Sequence, residues 1–197
     1  MKLTFEAITF AELASAESFT SSDKARLIIS GVFIEADGNT VTATATDSYR
    51  LVIITRELEQ EHAKASALIP ADSIAKAAKD ALKTKDPVTL EADEVSGTFT
   101  ISNSRDEWRY GGRLIEGKYP EVRSLIPPAG TIHEINGGVR FNPFFLAECT
   151  KVAPWSMAKG RDKATVSICI STLVDASRPA RLESFDGRTV IALMPVR

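Results

Sequence analysis

Long hydrophobic runs are missing from this chain, and none approaches the ~20 residues of a membrane-spanning helix. Histidine and cysteine are scarce, two of each in 197 residues. His62 and His133 stand apart near the edges of expected structural units, where a solvated or satisfied side chain is the simpler reading than a catalytic one. Cys149 and Cys169 lack metal spacing such as C-x-x-C and read as buried reduced thiols. They suggest neither a metal centre nor an oxidising compartment. No P-loop, HExxH, nucleophile elbow or dinucleotide fingerprint occurs. The acidic stretch "EADE" at 91–94 reads as a solvated turn between strands rather than a cation site. The N-terminus carries Glu6 and Glu12 and has no apolar core, which excludes a signal peptide. A formal charge of −2 excludes a wholly basic nucleic-acid binder, while leaving room for a basic patch. These absences point to a cytoplasmic protein that is not an enzyme and needs no cofactor or metal.

What the chain does have is a repeat. Hydrophobic and charged fractions of 44% and 25% suit a globular protein. One order recurs three times: a short strand, a helix, then about three strands. The first unit opens with "KLTFEAI". Thr9-x-x-Glu12 then has the form of a capping box starting a helix to about Phe19, and Asp37-Gly38-Asn39 has the form of a hairpin turn. The alternation in "TVTATAT" predicts a half-buried strand. The second unit opens with "SALIP" and continues into the helix "ADSIAKAAKDALK", built of good helix formers. The strand runs "VTLEA", "GTFTIS" and "EWRYGGRLIEG" follow. The third opens with "HEINGGVRF". Asn142-Pro143 starts its helix, "PFFLAECTKVA", which stops at Pro154. The strands "TVSICIS", "ARLESF" and "TVIALMPV" follow, with a turn at Asp186-Gly187. The joins fall at Glu57–Lys64, charged and turn-like, and at Ile126–Thr131. The expected class is α+β, mostly antiparallel, with helices on one face of the sheets. A single unit of roughly 60 residues is marginal alone, so the units should pair and continue each other's sheets.

The corner "ATDSYRLV" is unusual, because a turn needs small or polar residues but not Tyr49, Arg50 and Leu51. In sequence, "VTATATDSYRLV" resembles the strand–corner–strand of the DNA sliding clamp, the bacterial DNA polymerase III beta subunit family, which ends in Ala-Thr-Asp-x-x-Arg-Leu. The stretch "GRLIEGKYPEVRSLIP" is similar to that family's Leu-Ile/Val-Asp-Gly-x-Phe/Tyr-Pro-Asp-Tyr…Ile-Pro segment. "VRFNPFFLAEC" and "TVIALMPVR" are similar to its Phe-Asn helix start and its C-terminal Met/Leu-Pro-Met/Val-Arg. The resemblance implies the DNA-clamp fold of repeated β-α-β-β-β units, with antiparallel sheets outside and helices on one face. Residues 1–127 resemble a complete middle clamp domain, with units at about 1–60 and 61–127. Residues 128–197 resemble the second half of the last domain. The family's first domain and the first half of its last have no counterpart.

The resemblance implies a sliding clamp, a polymerase processivity factor that encircles duplex DNA without sequence preference. It would tether a DNA polymerase and other clamp-binding peptides in a hydrophobic groove. By matched position the groove takes Ile29, Thr46, Ser48, Tyr49, Arg50, Leu51, Pro120, Ser124, Leu125, Asn142, Phe145, Met194, Pro195, Val196 and Arg197. Met adapts to varied side chains, Tyr49 offers a face with a polar tip, and Arg50 and Arg197 could anchor acidic or carbonyl groups at the rim. The chain departs from the family at Ser48-Tyr49, where Gly-His or Gly-Tyr is common, and at Ser124, where Arg or Lys is common. Peptide specificity should differ accordingly.

For DNA, Lys76, Lys79 and Lys83 form one helical stripe, with Ile74, Ala77, Ala78, Ala81 and Leu82 on the opposite face. Lys24, Arg26, Lys151, Lys159, Arg161 and Lys163 complete the expected phosphate contacts. Flexible ammonium groups without base readout suit sliding. A clamp loader using ATP, or a labile ring that loads itself, is implied. Because three units per chain need four chains to restore a ring of roughly twelve, a homotetramer is expected, with a homodimer second. The compact size suggests a virus or mobile element, and hence a host cytoplasm. The competing readings are a clamp-derived decoy or transcription co-activator that does not encircle DNA, and a small-ligand enzyme on a similar scaffold.

Overall fold

The computed structural model describes residues 1–23, 25–129, 140–153, 168–172 (backbone only), 178–184 and 186–196. The chain runs β1 (Lys2–Phe5), α1 (Ala7–Ala14), β2 (Gly31–Thr46), β3 (Arg50–Pro70), α2 (Ala71–Thr84), β4 (Val88–Asp93), β5 (Thr98–Asn103) and β6 (Arg109–Arg113). It continues through α3 (Pro143–Glu148), β7 (Ile168–Thr172), β8 (Ala180–Ser184) and β9 (Thr189–Leu193). Two antiparallel sheets result. One has the order β1-β4-β5-β6 and the other β2-β3-β9-β8-β7. This is an α+β fold of antiparallel sheets, as the repeat predicts.

Strand sharing ties the sequence together. β1 leaves its own neighbours and pairs with β4, Leu3 opposite Leu90. Near the C-terminus, β9 pairs with β3 from Arg50↔Leu193 to Ile54↔Thr189. The β7–β9 ladder therefore extends the β2–β3 sheet, as sheet continuation between units requires.

The period-two pattern buries both faces of that sheet. Val32, Ile34, Val41, Ala43, Ala45, Val52 and Ile54 point into the main core with Phe10, Leu13 and Phe19 from α1 and the turn after it. Burying each such large side chain contributes roughly 1.5–3 kcal/mol. Cys149, Val152, Leu182 and Ile191 join the same core, so the described C-terminal elements pack on the core of the first two units. On the other face, Leu51, Leu68, Tyr119, Val122 and Ala192 form a second cluster. Phe33 stacks on Tyr119 with ring centroids 5.0 Å apart.

Several local expectations change. α1 starts at Ala7 with Glu6 as N-cap and no side-chain cap, so Thr9 and Glu12 are interior and form no capping box. Glu12 instead pairs with Arg56 at 2.5 Å, an ion pair across to β3 that outweighs a local cap. A 3-10 turn, Ser15–Phe19, then carries the chain on to the expected Phe19. Asp37-Gly38-Asn39 does turn the chain as expected: the Arg123 Nη2 reaches both Glu35 Oε2 at 3.1 Å and Thr42 Oγ1 at 3.0 Å, so the two arms of β2 lie side by side, with Gly38 at φ +60°. Glu57–Lys64 falls inside β3 (Arg50–Pro70), where the register with β2 jumps from Thr40↔Glu57 to Gly38↔His62; Leu51 and Leu68 pack in one cluster, so the chain turns back between them, as the charged, turn-like join predicts. Glu57, Glu59, Gln60 and Glu61 are all exposed and only Leu58 of this stretch is buried, so its charge is solvated. Leu82, expected on the buried face of α2, is 45% exposed; Ile74, Ala77 and Ala81 carry the packing. The helix starting at Asn142-Pro143 forms as expected, with Asn142 Oδ1 accepting from the Phe144 N–H at 2.9 Å. Of the strand expected over 133–141, residues 133–139 fall outside the described residues, as does the stop at Pro154, and Arg140 and Phe141 are not strand.

Candidate peptide groove and helix face

The corner is held by its own side chains. Asp47 Oδ1 accepts from the Tyr49 and Arg50 N–H groups at 2.9 and 3.0 Å. Thr46 Oγ1 donates to the Arg50 carbonyl at 2.8 Å and accepts from the Ser48 N–H. Ser48 sits at φ 81°, the left-handed region that makes Gly common at such a position. That turn chemistry aims Tyr49 outward, 58% exposed, and Arg50 inward, 7% exposed.

Arg50 is not at the rim. Its Nε donates to Asp47 Oδ2 at 2.8 Å and its Nη2 to the Ser18 carbonyl at 3.1 Å. Its Nη1 pairs with Glu148 on α3. The guanidinium lies between the Phe19 ring, 4.6 Å away, and the Phe145 ring, 5.1 Å away. One side chain thus joins α1's following turn, the corner and α3. The Lys151 ammonium, with the Arg50 guanidinium, holds the Glu148 carboxyl below its ordinary range despite partial burial. Burial pushes the neighbouring Cys149 thiol up to about 11, so it stays protonated and inert.

The other matched positions fall into two connected groups. Around the corner, Tyr49 stacks on Phe145 at 5.6 Å and its carbonyl accepts from the Met194 N–H at 3.0 Å. Val196 N–H donates to the Arg140 carbonyl at 2.7 Å, so the C-terminal stretch lies by the start of α3. Met194 and Asn142 are half-buried, Pro195 is buried and Val196 is 48% exposed. On the outer sheet face, Leu51 is 4% exposed and Ile29 packs against its cluster. Pro120 and Ser124 are exposed, and Leu125 is 60% exposed. Leu51 and Ala192 are register partners, so the two groups meet where β3 and β9 pair. Arg197 lies outside the described residues.

Sequence reasoning missed the exposed Phe144 (77%) and Leu27 (64%), and it missed Glu148 and Phe19 as partners of Arg50. No local pattern links Glu148 or Phe19 to Arg50; Glu148 also pairs with Lys151, three residues on, at 3.0 Å.

On the helix side, Lys76, Lys79 and Lys83 are all exposed. Lys83 is tied to Asp80 at 2.7 Å. Glu17, at the end of the first helical segment, feels both Lys79 and Lys151; burial still leaves its carboxyl above the ordinary value. The α2 stripe and the stretch after α3 therefore share one neighbourhood. Ala153 N–H donating to Ser15 Oγ at 2.9 Å closes the same seam. Arg26 goes elsewhere, to Asp23 and to Ser48 Oγ at the corner. Lys24, Lys159, Arg161 and Lys163 lie outside the described residues. Among the described residues no cluster of three metal-ligating side chains occurs, and no helix is long and apolar enough to cross a membrane.

The chain matches the family model for the DNA polymerase III beta subunit, central domain, over residues 5–121. It is 27% identical over 124 residues to the beta sliding clamp of Haemophilus influenzae, covering 62% of this chain and 33% of that one. It is 30% identical over 119 residues to the beta sliding clamp of Micrococcus luteus, covering 58% and 37%. The chain thus spans little more than a third of these relatives. In fold it is similar to the sliding clamp of Pseudomonas aeruginosa solved with griselimycin, at TM-score 0.76 and 14% identity. That match covers all of this chain and 65% of that one. The beta subunit of Thermotoga maritima gives a TM-score of 0.75 at 16% identity with the same coverage. With more than half of its residues matched by the central-domain model, and with the corner, helix start and C-terminal strand meeting where β3 pairs with β9, the chain belongs to the DNA polymerase III beta subunit family.

Proposed function

We propose that this protein is a sliding clamp, which assembles into a ring around duplex DNA and tethers a polymerase through the surface around Tyr49, Phe145 and Met194. The observation that carries the reading is the division of the molecule. Exposed lysines of α2 and Lys151 gather on the helix side. Exposed aromatic and apolar groups gather at the corner, where β9 joins β3. Cations of this kind suit phosphate contact without base readout. An apolar surface holding a Met and two aromatic rings suits short hydrophobic peptides. No catalytic step is part of the reading, in keeping with the non-enzymatic role of the family. The cytoplasm, a host's if the source is a phage, is the compartment that goes with it.

Residues 1–127 serve as one complete clamp domain of two units, and 128–197 as half of another. The central-domain match, ending at 121, supports the first boundary. Ring stoichiometry is the finer question. The comparisons give no support to a homotetramer, and the family's clamp is a dimer. Three units per chain is the argument that remains for four.

Retention on nicked circular DNA, compared with linear DNA, tests encirclement. A ring stays on the circle and runs off free ends, provided a loader or self-loading opens it. Equal loss from both substrates refutes the clamp and favours a clamp-derived binder that does not encircle DNA. Light scattering on the same sample gives the number of chains.

A further inference from the structure

Glu148 stands between the corner and the helix side and divides its carboxylate between them. Its Oε2 pairs with Arg50 Nη1, and its Oε1 pairs with Lys151 Nζ at 3.0 Å. The two cations lie in opposite settings, since the Arg50 side chain is 6% exposed and that of Lys151 is 59% exposed. On the inner side, the Arg50 guanidinium lies 5.1 Å from the centre of the Phe145 ring, and Tyr49 stacks on the same ring at 5.6 Å. Phe145 and Glu148 are three residues apart on α3, which puts them on one helical face. On the outer side, Lys151 ends the short 3-10 turn Cys149–Lys151 that follows α3. Glu17 lies close enough to feel both Lys79 and Lys151, so Lys151 adjoins the α2 stripe. An unbroken chain of contacts therefore runs from Tyr49 through Phe145, Arg50 and Glu148 to Lys151.

We propose that Glu148 is a positioning residue shared by the peptide surface and the DNA surface, and that duplex DNA tightens peptide binding through it. The inference rests on the clamp reading, which supplies the DNA role of Lys151 and the peptide role of Tyr49 and Phe145. A phosphate that takes the Lys151 ammonium removes one of the two cations from Glu148, and its own negative charge repels the carboxylate. The carboxylate is then left to Arg50. That pair sits largely out of water, where charges attract more strongly. Drawing it tighter holds the guanidinium against Phe145, the ring on which Tyr49 stacks. An incoming peptide meets an aromatic pair already fixed in place and does not have to order it. Phosphate and peptide thus favour the same arrangement, so each raises the affinity for the other by the same factor. Lys151 is exposed, and ion pairs with exposed partners are weak. The factor therefore lies at the low end of coupling between sites, roughly fivefold.

Fluorescence anisotropy with a fluorescein-labelled peptide carrying adjacent Leu and Phe tests this, because those side chains suit the apolar surface at Tyr49, Phe145 and Met194. Titrations are run at one fixed low salt, with and without excess linear duplex, since phosphate contacts depend on salt. Duplex should lower the wild-type Kd for the peptide roughly fivefold. Lys151→Gln frees Glu148 without DNA, so its peptide Kd should already be lower and should no longer respond to duplex. Glu148→Gln should bind the peptide more weakly than wild type and should not respond either. These opposite signs separate coupling from a merely structural role, in which both substitutions weaken the peptide. Circular dichroism checks that both variants stay folded; should one lose its fold, the wild-type response to duplex still decides. If wild type binds both duplex and peptide but neither changes the affinity for the other, or if folded Lys151→Gln binds the peptide more weakly, the coupling is overturned and the clamp reading stands. If wild type fails to bind the duplex or the peptide, the clamp reading falls and the coupling with it.

Discussion

Replacing Arg50 with methionine removes the charge and the fork but keeps much of the side-chain length. The native guanidinium is 6% exposed at the side chain and serves Asp47, Ser18 and Glu148 at once. Breaking a buried ion pair costs about 3–5 kcal/mol. Asp47 keeps two backbone N–H donors and Glu148 keeps Lys151, which puts the loss at the lower end, about 3 kcal/mol. Methionine also retains some contact with the Phe19 and Phe145 rings. For a chain of this size, each kcal/mol lowers Tm by roughly 2–4 °C, so a drop of about 6–12 °C is expected. Urea unfolding with an unchanged slope would assign the change to stability rather than to compactness. A cycle with Glu148→Gln should give a coupling of roughly 1 kcal/mol or more. A loss under about 1 kcal/mol, or no coupling to Glu148, would refute Arg50 as the link between the corner and α3.

Leu51→Ala should destabilise the fold by about 2–4 kcal/mol, since Leu51 packs with Leu68, Tyr119 and Val122; an unchanged denaturation midpoint would exclude it from the core. Peptide binding is therefore better tested with Tyr49→Ala and Met194→Ala, which should weaken a hydrophobic clamp-binding peptide at least tenfold in a fluorescence titration; equal affinity would place the groove elsewhere. Reversing Lys76, Lys79 and Lys83 to Glu should leave the fold intact and cut retention on circular DNA. The log–log salt slope should flatten by up to about 3 units, and an unchanged slope would reject these lysines as phosphate contacts. The depressed Glu148 carboxyl favours the folded state above its ordinary value of 4.5 and loses that contribution as pH falls through the lower folded value. Stability should therefore drop faster below about pH 4.5 in wild type than in Glu148→Gln, and parallel pH profiles would contradict this.

The periodic parts of this protein are legible in one dimension. Alternation in "TVTATAT" and the Ala-Leu-Lys pattern of 71–84 set a strand and a helix, and Asn142-Pro143 set a helix start, because each depends on neighbours within a turn or a pleat. The corner motif and the C-terminal strand also carried the family resemblance by themselves. Tertiary structure decided the rest. Glu12 reads as a cap until Arg56, distant in sequence, supplies a better partner. The acidic stretch Glu57–Lys64 reads as a turn-like join, but which strands it connects is set by the pairing of both arms of β3 with β2. Arg50 reads as a rim anchor by matched position. Folding brings Ser18, Phe19, Phe145 and Glu148 around it and buries the charge. Burial and long-range pairing are properties of surfaces brought together, so no local pattern in the chain encodes them on its own.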